Sequence, residues 1–174
     1  LHSIKPNNYI NGEVTLRGVA AGSSETIVIG NASVSTAVAL LDPTGATASD
    51  FAITYTASAH ANTANFNSAN IGLVHNKEYW TINRLSGDMQ AKVGLATYDF
   101  LNSGFTSFAA ADAMIARYDG ANWVSAGNTG GNVNGSVGAI TSAATSDFGA
   151  FTFAKAPVPV LPIALISFST QATN

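Results

Sequence analysis

The chain has no cysteine. That excludes disulfides, thiolate metal sites and a cysteine nucleophile. It leaves the compartment open, because many exported bacterial proteins also lack cysteine. Charge is scarce as well. Asp, Glu, Lys and Arg make up 10% of the 174 residues, against roughly 25% in an average soluble protein. Seven Lys and Arg against ten Asp and Glu give a net charge of −3. No basic cluster is present to collect phosphates, so no nucleic-acid partner is expected. No run of about 18 consecutive apolar residues occurs, which excludes a membrane-spanning helix. The first residues, Leu1 to Pro6, show no basic stretch followed by an apolar one. The expectation is a signal peptide already removed, or none.

The missing charge is replaced by Ala, Thr, Ser, Asn and Gly. Hydrophobic residues reach 47%, enough for one sizeable core, and the length fits a single domain or one large sandwich. The pattern is almost all strand. Glu13 to Val19 and Glu25 to Ile29 are short β-branched runs. Val34 to Leu41 is apolar and alternating, and Asp42-Pro43-Thr44-Gly45 predicts a turn after it. From Phe51 to Ala59, Phe51, Ile53 and Tyr55 share one face, the period of a half-buried strand. His60 to Asn70 reads as a long loop. Tyr79 to Leu85 and Met89 to Tyr98 read as a hairpin around Ser86-Gly87-Asp88. A second hairpin pairs Met114 to Tyr118 with Asn122 to Ser125 around Asp119-Gly120, a tight-turn signal. Ser103 to Ala113 is the one helical candidate. Ser136 to Thr141, Phe148 to Phe153 and Val160 to Ser169 bring the total to about ten strands. The expected fold is an all-β sandwich, jelly-roll-like or immunoglobulin-like, with at most one short helix.

Few residues suggest chemistry. His60 and His75 flank the Asn-rich loop, and a metal site would need a third ligand such as Glu78. No tight ligand spacing supports one. Asp42 to Asp50 holds oxygen ligands but lacks the spacing of a calcium loop. The three Glu and seven Asp could offer a carboxylate pair for glycoside hydrolysis. Asp42, Asp88 and Asp119, however, stand beside Pro43, Gly87 and Gly120, where Asx-turn duty explains them. There is no Gly-x-Ser-x-Gly elbow. Asn31-Ala32-Ser33 and Asn134-Gly135-Ser136 match an N-glycan acceptor pattern that is common by chance. Tyr79, Trp80, Tyr118 and Trp123 form a candidate sugar-stacking platform. The competing reading makes both tryptophans core anchors, since Trp80 shares a strand face with Ile82. No catalytic residue, metal or cofactor is expected.

The strings Glu78-Tyr79-Trp80-Thr81-Ile82-Asn83-Arg84, Ala116 to Val124, Gly135-Ser136-Val137 and Phe148 to Phe153 carry a resemblance as a set. They are followed by Leu161-Pro162-Ile163-Ala164-Leu165-Ile166-Ser167-Phe168. Together they resemble a β-rich module that precedes a Leu-Pro-x-x-Leu-x-Ser-Phe segment in exported surface proteins of Bacteroidota. The likeness runs from about Tyr9 to Phe168. It implies an extracellular or cell-surface module, often routed by type IX secretion, and no catalytic residue. In that family the Leu-Pro segment opens a further domain and a sorting signal. Here the sequence stops at Asn174, so the expectation is a processed product or a relative in which the strand comes last.

The chain divides into two regions: a sandwich over 1–154, and a proline-rich extended segment with a terminal strand over 155–174. Prolines 157, 159 and 162 cannot donate to a ladder, so they predict an extended lead or edge. Val160, Leu161, Ile163, Leu165, Ile166 and Phe168 make the strand behind them strongly apolar. The expected function is a non-catalytic structural or adhesive protein that self-assembles by donating this strand to a neighbouring copy. The rival is a carbohydrate-binding module with a cell-surface polysaccharide as partner.

Overall fold

A computed structural model describes residues 9–31, 34–97, 112–134 and 137–158. These residues form an all-β sandwich, with thirteen strands in two sheets among them. In chain order these are β1 (Ile10–Asn11), β2 (Val14–Val19), β3 (Glu25–Asn31), β4 (Val34–Thr44), β5 (Ser49–Thr56), β6 (Leu73–Val74) and β7 (Tyr79–Arg84). They continue as β8 (Gln90–Thr97), β9 (Ala113–Tyr118), β10 (Trp123–Gly127), β11 (Gly130–Asn134), β12 (Val137–Thr145) and β13 (Gly149–Lys155). The six-stranded sheet runs β1-β3-β4-β8-β12-β11. The seven-stranded sheet runs β10-β9-β13-β7-β5-β2, with β6 added beside β13. All pairs are antiparallel except β1 with β3. No α-helix occurs among the described residues. The helical candidate is untested over 103–111, which lie outside them, and Ala113 opens β9.

Period-two alternation fills the interior. Val38 and Leu40 of β4, and Ala91, Val93 and Leu95 of β8, face Phe51, Ile53, Trp80, Ile82, Ile115, Phe151 and Phe153 of the other sheet. One polar bridge crosses this core. Trp80 Nε1–H donates to Thr36 Oγ1 at 3.1 Å, and the Thr36 hydroxyl donates to Ile29 O at 2.7 Å. A second, smaller core lies on the outer face of the seven-stranded sheet. There the 57–72 loop lays Phe66 and Ile71 over Ala116, Trp123 and Ala154.

Two expected turns are corrected. Tyr79–Arg84 and Gln90–Thr97 do not pair. β7 lies in one sheet between β13 and β5, and β8 lies in the other between β4 and β12. The Ser86-Gly87-Asp88 turn is an arch between sheets. Both edges of β7 are taken by strands distant in sequence, so its chain neighbour crosses to the facing sheet. Asp42-Pro43 is not the end of β4 either. The strand continues to Thr44 through a register shift between Leu41 and Thr44, with Asp42 at a φ of 48°. A bulge tolerates proline because the ladder skips a bond there. The Asp119-Gly120 hairpin forms as expected: Trp123 opposes Tyr118, and Gly120 takes a φ of 102°.

Candidate functional site

The long loop and the outer sheet face build an aromatic cluster. His60 stacks edge-on to Tyr79 and Trp123, with centroids 5.1 and 5.2 Å away, and tilts against Tyr118 at 4.7 Å. Asn62 Nδ2 donates to the Tyr118 hydroxyl at 2.7 Å, and Trp123 N donates to Asn65 O at 2.7 Å. Partial burial holds the His60 pKa below its ordinary value. This arrangement corrects the sugar-platform reading. Trp80 and Trp123 are both 0% exposed, and Tyr79 and Tyr118 are half-buried. A stacking platform needs an open ring face, and neither tryptophan has one. The two also belong to different cores: Trp80 lies between the sheets, Trp123 under the loop.

A polar cluster sits in the interior where β6 and β7 dock along the same edge of β13. The four residues between them, 75–78, leave the ladder. His75 N donates to Phe153 O at 2.9 Å, and Thr152 Oγ1 donates to Glu78 O at 2.6 Å. Both side chains turn inward: His75 is 1% and Glu78 2% exposed. Tyr55 donates its hydroxyl to Glu78 Oε2 at 2.7 Å. His75 Nε2 lies 3.7 Å from Glu78 Oε1, beyond hydrogen-bond range. Burial, reinforced by nearby Lys77, pushes the His75 pKa down to about 3. The imidazole is therefore neutral at ordinary pH, and this is not an ion pair. His60 is not part of the cluster. No group of three His, Asp or Glu that could hold a metal occurs among the described residues.

The Asp42–Asp50 stretch does not converge on a cation. Asp42 pairs with Lys92 at 2.7 Å. Asp50 accepts from Gly18 N at 2.8 Å and lies 4.0 Å from Arg17. Asp88 Oδ1 accepts from Thr47 N at 2.7 Å, and Asp119 Oδ1 accepts from Asn122 N at 2.7 Å and Ala121 N at 2.9 Å. Those two bonds hold the Asp119 carboxyl below its usual range. Asp88 and Asp119 cap turns, as their neighbours in sequence suggest, whereas Asp42 sits in the β4 bulge and Asp50 within β5.

Two surface features were not legible in the sequence. A groove of about 450 Å³ crosses the outer face of the six-stranded sheet, lined by Thr26, Val28, Ala37, Ala39, Leu41, Gly94, Ala96, Ala139 and Thr141, with no charged residue. A polar depression of about 620 Å³ lies at one end of the sandwich, among Asn83, Arg84, Arg117, Asp119, Ser146, Asp147 and Phe148. The groove gathers residues from five strands, and the depression from β7, β9 and the connections after β9 and β12, and no local spacing announces either meeting. The strand residues Val160, Leu161, Ile163, Leu165, Ile166 and Phe168 lie outside the described residues.

No known protein family matches the chain, and neither a curated protein nor a solved structure matches it.

Proposed function

We propose that this chain is a structural or adhesive module of an exported surface protein, and that it self-assembles through Val160 to Phe168. The observation that carries the proposal is the edge at β11. A sheet edge accepts a foreign strand only where it is long, regular and uncovered. At the β2 edge the register shifts between Leu16 and Val19, beside exposed Arg17. The β10 edge shifts between Ser125 and Gly127, and Phe66 bridges it at Trp123. The β1 edge is two residues long. β11 alone among these pairs in unbroken register over five residues, Gly130 to Asn134. It also borders the uncharged groove, which Gly130 and Gly131 help to line.

The departing chain suits a donor. Ala156 N donates to Asp112 O at 2.8 Å, and Gly72 N donates to Lys155 O at 2.8 Å, so the exit is pinned to the body. Val158 is then 77% exposed. The sequence that follows, with Pro159 and Pro162 before an apolar run, predicts a stiff lead into a strand. A strand leaving one copy and added at β11 of the next makes a head-to-tail contact, which builds a filament unless it closes into a ring. The resemblance to exported surface modules supports the location.

The test compares the full chain, a chain ending at Lys155, and Ala39→Glu, which puts a charge in the groove at a core-distant position. Light scattering and electron microscopy should show polymer for the first alone, with all three melting alike. Full-length protein that stays monomeric at high concentration would sink the assembly reading.

A further inference from the structure

The depression at the end of the sandwich has a composition unlike the rest of the surface. In a chain with seven cationic residues, two arginines meet here, and both rise from core-facing positions. Alternation puts Arg84 on the face of β7 that carries Trp80 and Ile82, and Arg117 on the face of β9 that carries Ile115. β13 lies between them in the sheet, and its first residue, Gly149, at a φ of 152° and opposite Ile82, adds no side chain on that side.

The two arginines are not equivalent. Arg117 Nη2 lies 3.5 Å from Asp147 Oδ2, and that carboxylate is 69% exposed. Arg84 has no carboxylate partner among the described residues. Its Nη1 donates to Met89 O at 2.8 Å, and its guanidinium stands over the Phe148 ring, 5.7 Å from the centroid. A half-buried guanidinium held in place by a carbonyl and a ring keeps its charge and its remaining donors for something else. Planar, forked donors match a carboxylate.

We propose that this mouth binds an acidic saccharide, a sugar whose ring bears a carboxylate, with Arg84 taking the carboxylate. Asn83 and Ser146 offer donors and acceptors for ring hydroxyls. Phe148 offers an apolar wall to C–H faces. The volume of about 620 Å³ falls in the range that holds ligands of a few rings. The site does not depend on assembly, because every residue in it belongs to one copy.

Calorimetry on the full chain tests this with a trigalacturonate, the corresponding neutral galactose trisaccharide, and an acidic peptide of equal charge. The uronate should bind about tenfold or more tightly than the neutral sugar, and more weakly as salt rises. Arg84→Gln should lose about tenfold or more of that affinity, and Arg84→Lys should keep part of it. Asp147→Asn, at an exposed position, should tighten uronate binding by freeing Arg117 and removing a like charge. Equal affinity for the neutral sugar, tighter binding of the peptide, no binding by the folded full chain, or weaker binding in Asp147→Asn would each overturn the proposal.

Discussion

Trp80 is fixed by two observations that agree. Its alternation with Ile82 marks a core face in the sequence, and its Nε1–H reaches across the sandwich to Thr36 on the opposite sheet. Burial of Trp123 is equally legible, but its place is not, because the loop that covers it docks through Phe66 and Asn65 from a distant part of the chain. His75 flanks the Asn-rich loop in the sequence and Glu78 precedes a strand, and both prove to be interior. Only the docking of β6 and β7 on one edge of β13 puts them there, and that meeting is non-local. The buried histidine has a pH consequence. Its pKa is about 3 in the fold and 6.5 unfolded. Between those values the unfolded chain binds a proton that the native chain refuses. Its contribution is therefore present above pH 6.5 and lost as pH falls toward 3, on the order of 4–5 kcal/mol at the limit. Denaturant melts of the wild type and His75→Gln across this window should diverge in slope. Parallel pH profiles would show that burial of His75 does not destabilise the fold in acid.

At the level of elements, the hairpin at Asp119-Gly120 is written in the turn itself, whereas the arch at Ser86-Gly87-Asp88 is not. Both stretches carry turn residues between alternating strands. What separates them is competition for β7 by β5 and β13, which no window of sequence contains. The arch interlocks with the β4–β5 connection. Leu85 N donates to Asp50 O, Asp50 N to Ser86 Oγ, Met89 N to Ser49 Oγ, and Thr47 N to Asp88 Oδ1. Gly87 is the tightest point. It holds a φ of 75°, and a Cβ there would run into Ala48 O and Ser49 Oγ. Gly87→Ala should therefore cost at least the roughly 1–3 kcal/mol of backbone strain, and more for the clash with backbone. Thermal melting measures it, with Gly120→Ala as comparison, since a Cβ at Gly120 meets nothing within 4 Å. Equal losses in the two variants would show that strain alone matters.

At the scale of the whole molecule, the sandwich class follows from composition and alternation, while the strand order does not. β4 lies beside β8, β8 beside β12, and β13 between β7 and β9. Apart from the β3–β4, β9–β10 and β11–β12 hairpins, every neighbour in either sheet must be found across a longer stretch of chain. Such topologies close large loops before any contact rewards them, and they fold in milliseconds to seconds. Stopped-flow refolding from denaturant should show a main phase on that scale. A microsecond main phase would mean that local pairs such as β9–β10 carry the transition state.

The position of β13 has a mechanical meaning. It is an interior strand, paired with β9 on one side and with β7 and β6 on the other, and it ends at Lys155. Antiparallel ladder bonds lie perpendicular to the strands. A pull applied beyond Lys155 therefore runs along the strand and strains the bonds on both flanks at once. An edge strand pulled sideways would peel one bond at a time. In a subunit joined to its neighbour through this tail, tension along the chain is received by the middle of a sheet, in shear, rather than at a free border.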